Sequence, residues 1–431
     1  MRTNVKRKNI FTHEGAVAQH INPLLQLRRS VLACLLFEGE FYEDGQSIAD
    51  RITEFSNKVK PQELASLAIE ARSKFNLRHV PLLLCSVLAK TKSGSLIGKT
   101  IAEVIQRPDE LTEFLAIYWK AGRCPVSAQV KRGLAHAFRK FNAYQLAKYN
   151  RDGVIKLRDV LFICHAKPKD SEQEAIWKKL VDGTLESPDT WEVSLSSGAD
   201  KKATFERLMA EKQLGVLAFL RNLRNMEQAG ISKVVVKSYS EIVKVERALP
   251  FRFIAAARAV PGWEDMIEPM MLRCLAAQER LSGKTAIVVD NSGSMYGAKV
   301  SAKSELDRSD AACAVAILVR EICDDAVVIG FGGEAAIVPN RRGFALADAI
   351  KKGPGGGTYT EKAVALANQK GYDRIIIITD EQSHQTISAP QGKGYVINVA
   401  SYQNGIGYGA WTHIDGFSEA VIDYIREYER S

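Results

Sequence analysis

Apolar residues recur at three- and four-residue spacing through most of residues 24–282, the period of a helix with one buried face. This pattern predicts helices over Pro61–Phe75, Val80–Lys90, Leu96–Ile105, Leu111–Ala121, Ser127–Tyr149, Lys156–His165, Glu172–Leu180, Lys202–Glu211 and Leu214–Gln228. Each is broken by Gly, Pro, Asn or Ser. Short helices in series, with no clean fixed period, suggest a helical-repeat array. The β-branched run Lys233–Val236 reads as a strand interrupting it. After Ser282-Gly283 the pattern changes. Lys284–Asp290, Ala326–Gly330, Arg374–Asp380 and Tyr395–Val399 are short, continuous apolar runs that alternate with helical patterns. Strands of that kind belong to a parallel sheet covered on both faces. The expected fold class is therefore α plus α/β, with a helical-repeat domain over 1–283 and a doubly wound parallel-sheet domain over 284–431.

Composition supports two soluble domains. The chain has 431 residues, 46% of them hydrophobic and 25% charged, too many for one ordinary core and too apolar for long disorder. The longest apolar runs, Val80–Ala89 and Ala311–Val319, are far short of a membrane span. The basic N-terminus leads into Phe-Thr-His-Glu-Gly, not an apolar stretch, so no signal peptide is expected. The seven cysteines are scattered without a C-x-x-C pair, which suits a reducing cytoplasm and argues against a disulfide framework.

Charge separates the two parts. Residues 284–431 carry 15 Lys+Arg and 18 Asp+Glu, a net of −3, which leaves 44 and 32, a net of +12, for residues 1–283. A basic domain joined to a mildly acidic one points to a polyanion partner for the first.

The first predicted strand runs straight into Asp290-Asn-Ser292-Gly-Ser294. Ligands of an open α/β sheet gather at the carboxyl ends of its strands. Alternation along this loop turns Asp290, Ser292 and Ser294 toward one point. Thr358, in a Gly-rich loop ahead of a helix, and Asp380, closing the strand 375–379, can reach the same rim. Hard oxygen donors with few carboxylates suit a divalent cation, Mg²⁺ above all. Asp-Asn-Ser-Gly-Ser is also ordinary turn chemistry; the strand before it and the ordered arrival of Thr358 and Asp380 favour the metal. The set resembles the metal-ion-dependent adhesion site of von Willebrand factor A domains. No nucleophile–His–acid arrangement accompanies it, His384 being the one nearby candidate base, so no enzyme is expected.

A second feature lies in the predicted helix Ser127–Tyr149. At about 100° per residue, Arg132, His136, Arg139 and Lys140 share one face and Val130, Leu134, Ala137, Phe138 and Phe141 the other. A basic stripe opposite an apolar one suits phosphate, although a solvated surface looks the same in sequence.

The fragments FTHEGAVAQ, LRRSVLACLLFEGEFYEDG, AYQLAKYNRDG, LRDVLFICHAKP, LAFLRNLRNM and ALPFRFIAAA occur in this order, and the chain ends in GFSEAVIDYIREY. The ordered set resembles the Ro autoantigen family, as a bacterial or phage-type member. In that family a TROVE module, a ring of HEAT-like helical repeats, is closed by a von Willebrand A domain. The resemblance implies a non-catalytic RNA-binding protein of RNA quality control. It implies small structured noncoding Y or Y-like RNA on a basic outer surface and single-stranded 3′ ends of misfolded RNA in a central hole. It also implies an exoribonuclease partner in some bacterial members, no membrane, and a monomer. By match to AKYNRDG and CHAKP, it places RNA contacts at Lys148, Arg151 and His165, beside Arg132, Arg139 and Lys140 from the helical face. The alternatives are a Mg²⁺-dependent protein-interaction module, such as an A-domain cofactor of an AAA+ machine, and a metal-dependent hydrolase. The first leaves the basic half unexplained; the second lacks a base.

Overall fold

The structure is a computed structural model and describes residues 10–11, 17–18, 23–31, 45–75, 77–246, 248, 250–276, 278–299, 306–400, 409–415 and 420–430. The basic N-terminus and parts of FTHEGAVAQ, LRRSVLACLLFEGEFYEDG and GFSEAVIDYIREY lie outside them. The chain divides into two compact units, one of residues 26–31 and 49–199, the other of 1–25, 32–48 and 200–431.

The unit of 26–31 and 49–199 is helical. Its members include Pro61–Ser73, His79–Leu88, Ser95–Val104, Pro108–Tyr118, Ala128–Phe138, Ala143–Tyr149, Leu157–Cys164 and Ser171–Asp182. Each packs mainly on helices one or two places along the chain, as a helical array does. Leu64, Leu82, Leu88, Phe114, Leu134 and Phe138 are among its buried apolar side chains. One ion pair is buried with them: Arg72 Nη2 lies 2.8 Å from Glu110 Oε1. The other oxygen of Glu110 accepts the Gln106 and Arg107 amides at 2.7 and 3.0 Å. The carboxylate thus anchors a helix start and neutralises an arginine, and those bonds offset its desolvation. The Ser95–Val104 and Ala128–Phe138 helices cross at two glycines. A Cβ on Gly133 would stand 2.8 Å from both Gly98 O and Ile101 Cβ. Only glycine permits that approach.

The predicted helix Ser127–Tyr149 is two helices, Ala128–Phe138 and Ala143–Tyr149, separated at 139–142. The break was written in the chain: Asn142 accepts the Gln145 amide at 2.9 Å while the Gln145 side chain accepts the Asn142 amide at 3.1 Å, a capping box.

The other unit holds a short ribbon, β1 (Ile10–Phe11) with β2 (Val17–Ala18), and a six-stranded sheet. The sheet strands are β3 (Leu281–Asp290), β4 (Cys323–Phe331), β5 (Ala335–Ile337), β6 (Arg374–Thr379), β7 (Lys393–Asn398) and β8 (Trp411–Asp415), in the order β5-β4-β3-β6-β7-β8. Neighbours are parallel except β5, which runs antiparallel to β4 at one edge. Ala286 and Val288 of β3 and Ile375 and Ile377 of β6 pack beneath Ala363, Val364 and Ala367 of the Thr360–Lys370 helix. The Arg308–Ile322 helix lies against β3, β4 and β6. Helices on two faces explain why every residue of β6 is buried. Residues 311–319, apolar on all sides, form the middle of the Arg308–Ile322 helix and are buried all round. The sheet lies on one side, and the Pro250–Ala259, Glu264–Ala276 and Gly343–Lys351 helices pack against the same helix.

Residues 233–236, read as a strand, open the Lys233–Ile242 helix instead. Ser232 caps it, and Val236 and Tyr239 are buried three residues apart. Helical burial outweighed the β-preference of Val234, Val235 and Val236. Strands β5 and β8, short and at the two sheet edges, went unread.

Candidate metal centre and nucleic-acid interface

Chain order reverses about β3: the strand next in sequence, β4, lies on one side and β6 on the other. The carboxyl ends of β3 and β6 therefore flank the crevice where such sheets bind ligands. Asp290 closes β3 and Asp380 follows β6, both buried. Four loops are tied together there. The Asn291 amide donates to Phe331 O at 2.7 Å, Gly293 to Gly356 O at 3.1 Å, Tyr359 to Gly332 O at 3.1 Å and His384 to Thr358 O at 3.1 Å. Gly332 is required for this closure, because a Cβ would stand 2.6 Å from the Gly355 carbonyl.

One Asp290 oxygen accepts the Ser292 amide at 2.8 Å and the other the Thr379 hydroxyl at 2.5 Å. The hydroxyls of Ser292 and Ser294 lie 3.2 Å apart. Asp380 accepts the Gln382 amide at 3.3 Å and faces the Arg308 guanidinium at 3.5 Å. The same guanidinium donates to Ser294 O at 3.3 Å. Asp290, Ser292, Ser294 and Asp380 are thus brought together, and buried Thr358 joins through its loop. Burial, and then the charge of Asp380, push the Asp290 carboxyl well above the usual carboxylate range. Two buried carboxyls among three hydroxyls are a donor set that fits a hard divalent cation. Among the described residues, no group of three or more His, Cys, Asp or Glu is placed to hold a metal ion by itself.

Thr379, Arg308 and Glu381 belong to this site and were not singled out from sequence. Glu381 is buried in the left-handed region, φ 64°. It accepts from Asn398 Nδ2 at 2.9 Å and has His413 Nε2 2.8 Å away. Strain of this kind collects at functional sites. His384 is exposed and packs its ring against Tyr359, centroids 5.2 Å apart.

The basic residues lie in the other unit. Val130, Leu134, Ala137, Phe138 and Phe141 are buried, and Arg132, His136, Arg139 and Lys140 are exposed, so the two faces separate as their spacing requires. Two of these cations also hold the fold. Lys140 Nζ donates to Ile105 O at 2.9 Å and to Ala102 O, closing the carboxyl end of the Ser95–Val104 helix. Burial pulls its pKa down. Arg139 Nε donates to Lys167 O at 2.6 Å. Arg132 and Arg151 are exposed, and Lys148 is half-buried with its ammonium 6.0 Å from the Tyr149 ring centroid. His165 caps the Leu157–Cys164 helix in the left-handed conformation, φ 50° and ψ 43°, where glycine is usual.

Residues 183–280 match the TROVE domain model. The chain is 22% identical to the RNA-binding protein RO60 of Deinococcus radiodurans, over 82% of this chain and 80% of that one. Its fold is similar to the crystal structure of the Deinococcus radiodurans RO (RSR) protein: TM-score 0.64, 18% identity, 94% of this chain and 99% of that chain covered. Over most of its length the chain is similar to Ro-type proteins. The Ro-type fold, helical repeats followed by a von Willebrand A-like sheet domain, is the one described above. Arg132, Arg139, Lys140, Lys148, Arg151 and His165 all precede the matched TROVE segment, which includes LAFLRNLRNM and ALPFRFIAAA. No helix among the described residues is long and apolar enough to cross a membrane.

Proposed function

We propose that this protein binds small structured noncoding RNA of the Y-like kind through phosphate contacts from Arg132, Arg139, Lys148, Arg151 and His165, and acts without catalysis in RNA quality control. The observation that carries this reading is the exposed basic row opposite a buried apolar one, within residues 1–283, whose net charge is +12. The relative from Deinococcus, described as RNA-binding, supports it. Single-stranded 3′ ends of misfolded RNA are a second ligand, and an exoribonuclease is the kind of machine such a protein would serve. Residues 1–283 form the RNA-binding part; the expected working state is a cytoplasmic monomer.

Asp290, Ser292, Ser294, Thr358 and Asp380 would hold Mg²⁺, which would supply a positive centre able to attract a partner carboxylate. Arg308 supplies positive charge beside Asp380, and Thr379 orients the Asp290 carboxyl by its hydrogen bond. Sequencing the RNA that copurifies with the protein tests the reading. Abundant structured noncoding RNA is expected; peptides or an ATPase without RNA would favour the protein-interaction alternative.

A further inference from the structure

Between the end of the Pro108–Tyr118 helix, the loop after it and the Leu157–Cys164 helix lies a groove of about 610 Å³. Trp119, Arg123, Lys131, Phe162 and His165 line it, and no acidic residue does. Phe162 is 59% exposed. It stands on a helix whose other side chains Leu157, Val160, Leu161 and Cys164 are buried, so its ring is not needed by the core. The Trp119 indole N–H donates to Cys124 O at 2.8 Å, which satisfies its polar edge and fixes the ring. The Arg123 guanidinium lies 5.0 Å from that ring's centroid. His165 reaches the groove from a backbone conformation that L residues rarely adopt.

Aromatic rings held in water among cations of one sign form a surface for flat, electron-rich ligands that carry negative charge. Unpaired nucleotides have both properties. Bases stack on aromatic side chains whatever their identity, and the adjoining phosphates meet Lys, Arg or His. An apolar peptide would use the rings but gain nothing from the cationic Arg123 and Lys131. We propose that this groove receives unpaired bases of bound RNA: a base stacks on Phe162, Trp119 with its Arg123 lid offers a second platform, and Lys131 and His165 meet the flanking phosphates. This rests on the RNA-binding reading and adds to it a site for single-stranded nucleotides that adjoins the phosphate contacts for structured RNA and shares His165 with them.

The test measures binding of the full-length protein to a fluorescently labelled ten-nucleotide oligouridylate and to a blunt RNA duplex, at one salt concentration. Phe162→Ala should weaken oligouridylate binding roughly tenfold, the usual scale for one lost stacking partner. Duplex affinity should be preserved, and Phe162→Trp should restore oligouridylate binding. Circular dichroism of Phe162→Ala should match wild type, since the ring is exposed. Oligouridylate binding unchanged by Phe162→Ala, or weakened in equal measure with duplex binding, overturns the proposal. Wild-type binding to duplex but not to oligouridylate also overturns it while leaving the RNA reading intact. Binding to neither RNA removes both.

Discussion

Replacing Lys140 and Arg132 one at a time separates cations that hold the fold from cations that face a ligand. Lys140 donates to Ile105 O at 2.9 Å and to Ala102 O, carbonyls at the end of the Ser95–Val104 helix that have no partner within that helix. A hydrogen bond from a charged donor contributes about 1.5–3 kcal/mol when well shielded. Lys140 is partly in water, so screening reduces the expected loss in Lys140→Ala to about 1 kcal/mol. For a unit the size of residues 49–199 that corresponds to a melting shift of roughly 2–4 °C. Arg132 is exposed, and Arg132→Ala should change stability by less than about 0.5 kcal/mol. It should instead weaken RNA binding and reduce the slope of log affinity against log salt by about one. Thermal melts followed by circular dichroism, with filter binding to a tailed hairpin, read both quantities on the same samples. Arg132→Ala melting as low as Lys140→Ala, or Lys140→Ala losing RNA affinity with its melting point unchanged, would refute the division.

Gly133→Ala should destabilise the helical unit by about 1–2 kcal/mol despite alanine's better helix propensity, because overpacking at the crossing costs more than propensity returns; urea unfolding measures it. Mg²⁺ at a hundredfold excess over Kd should stabilise wild type by about 2.7 kcal/mol, and Asp290→Ala should abolish that rise in melting temperature; a mutant that still responds would place the ion elsewhere. Burial raises the Glu113 carboxyl to about 6, partly offset by Arg78. Its folded pKa therefore exceeds the unfolded value near 4.3, so its contribution is present at low pH and is lost as pH rises through 6. Glu113→Gln should flatten that part of a stability profile measured from pH 4.5 to 7.

Much of the fold was legible because burial leaves a period in the chain. The strands ending at Asp290 and Thr379 were readable as continuous β-branched runs, since a sheet covered on both faces needs apolar residues at consecutive positions. The helix over 128–138 was readable because its buried residues recur at helical spacing. Misreadings came where tertiary packing opposed local preference, as at 233–236, or where a capping box interrupted a continuing period, as at Asn142. The candidate metal-site residues Asp290, Ser292, Ser294, Thr358 and Asp380 stood out because they follow strands or a Gly-rich loop. Arg308 and Thr379 did not, being an arginine at a helix start and a threonine at a strand end, two common placements. Nor did Phe162, which differs from its apolar neighbours only in facing water, a property that belongs to the packed helix and not to its sequence.

Equilibrium binding of a small RNA hairpin with a single-stranded 3′ tail, measured across salt, tests the RNA-binding function most directly. Each phosphate neutralised by a lysine or arginine releases condensed counterions, so affinity for a multi-contact surface falls by orders of magnitude between about 50 and 200 mM salt. That steep fall is the expected result, together with a shallower slope when Arg132, Lys148 and Arg151 are replaced by alanine. Affinity that stays flat over the same range, or a slope unmoved by those replacements, would contradict RNA recognition by this basic face.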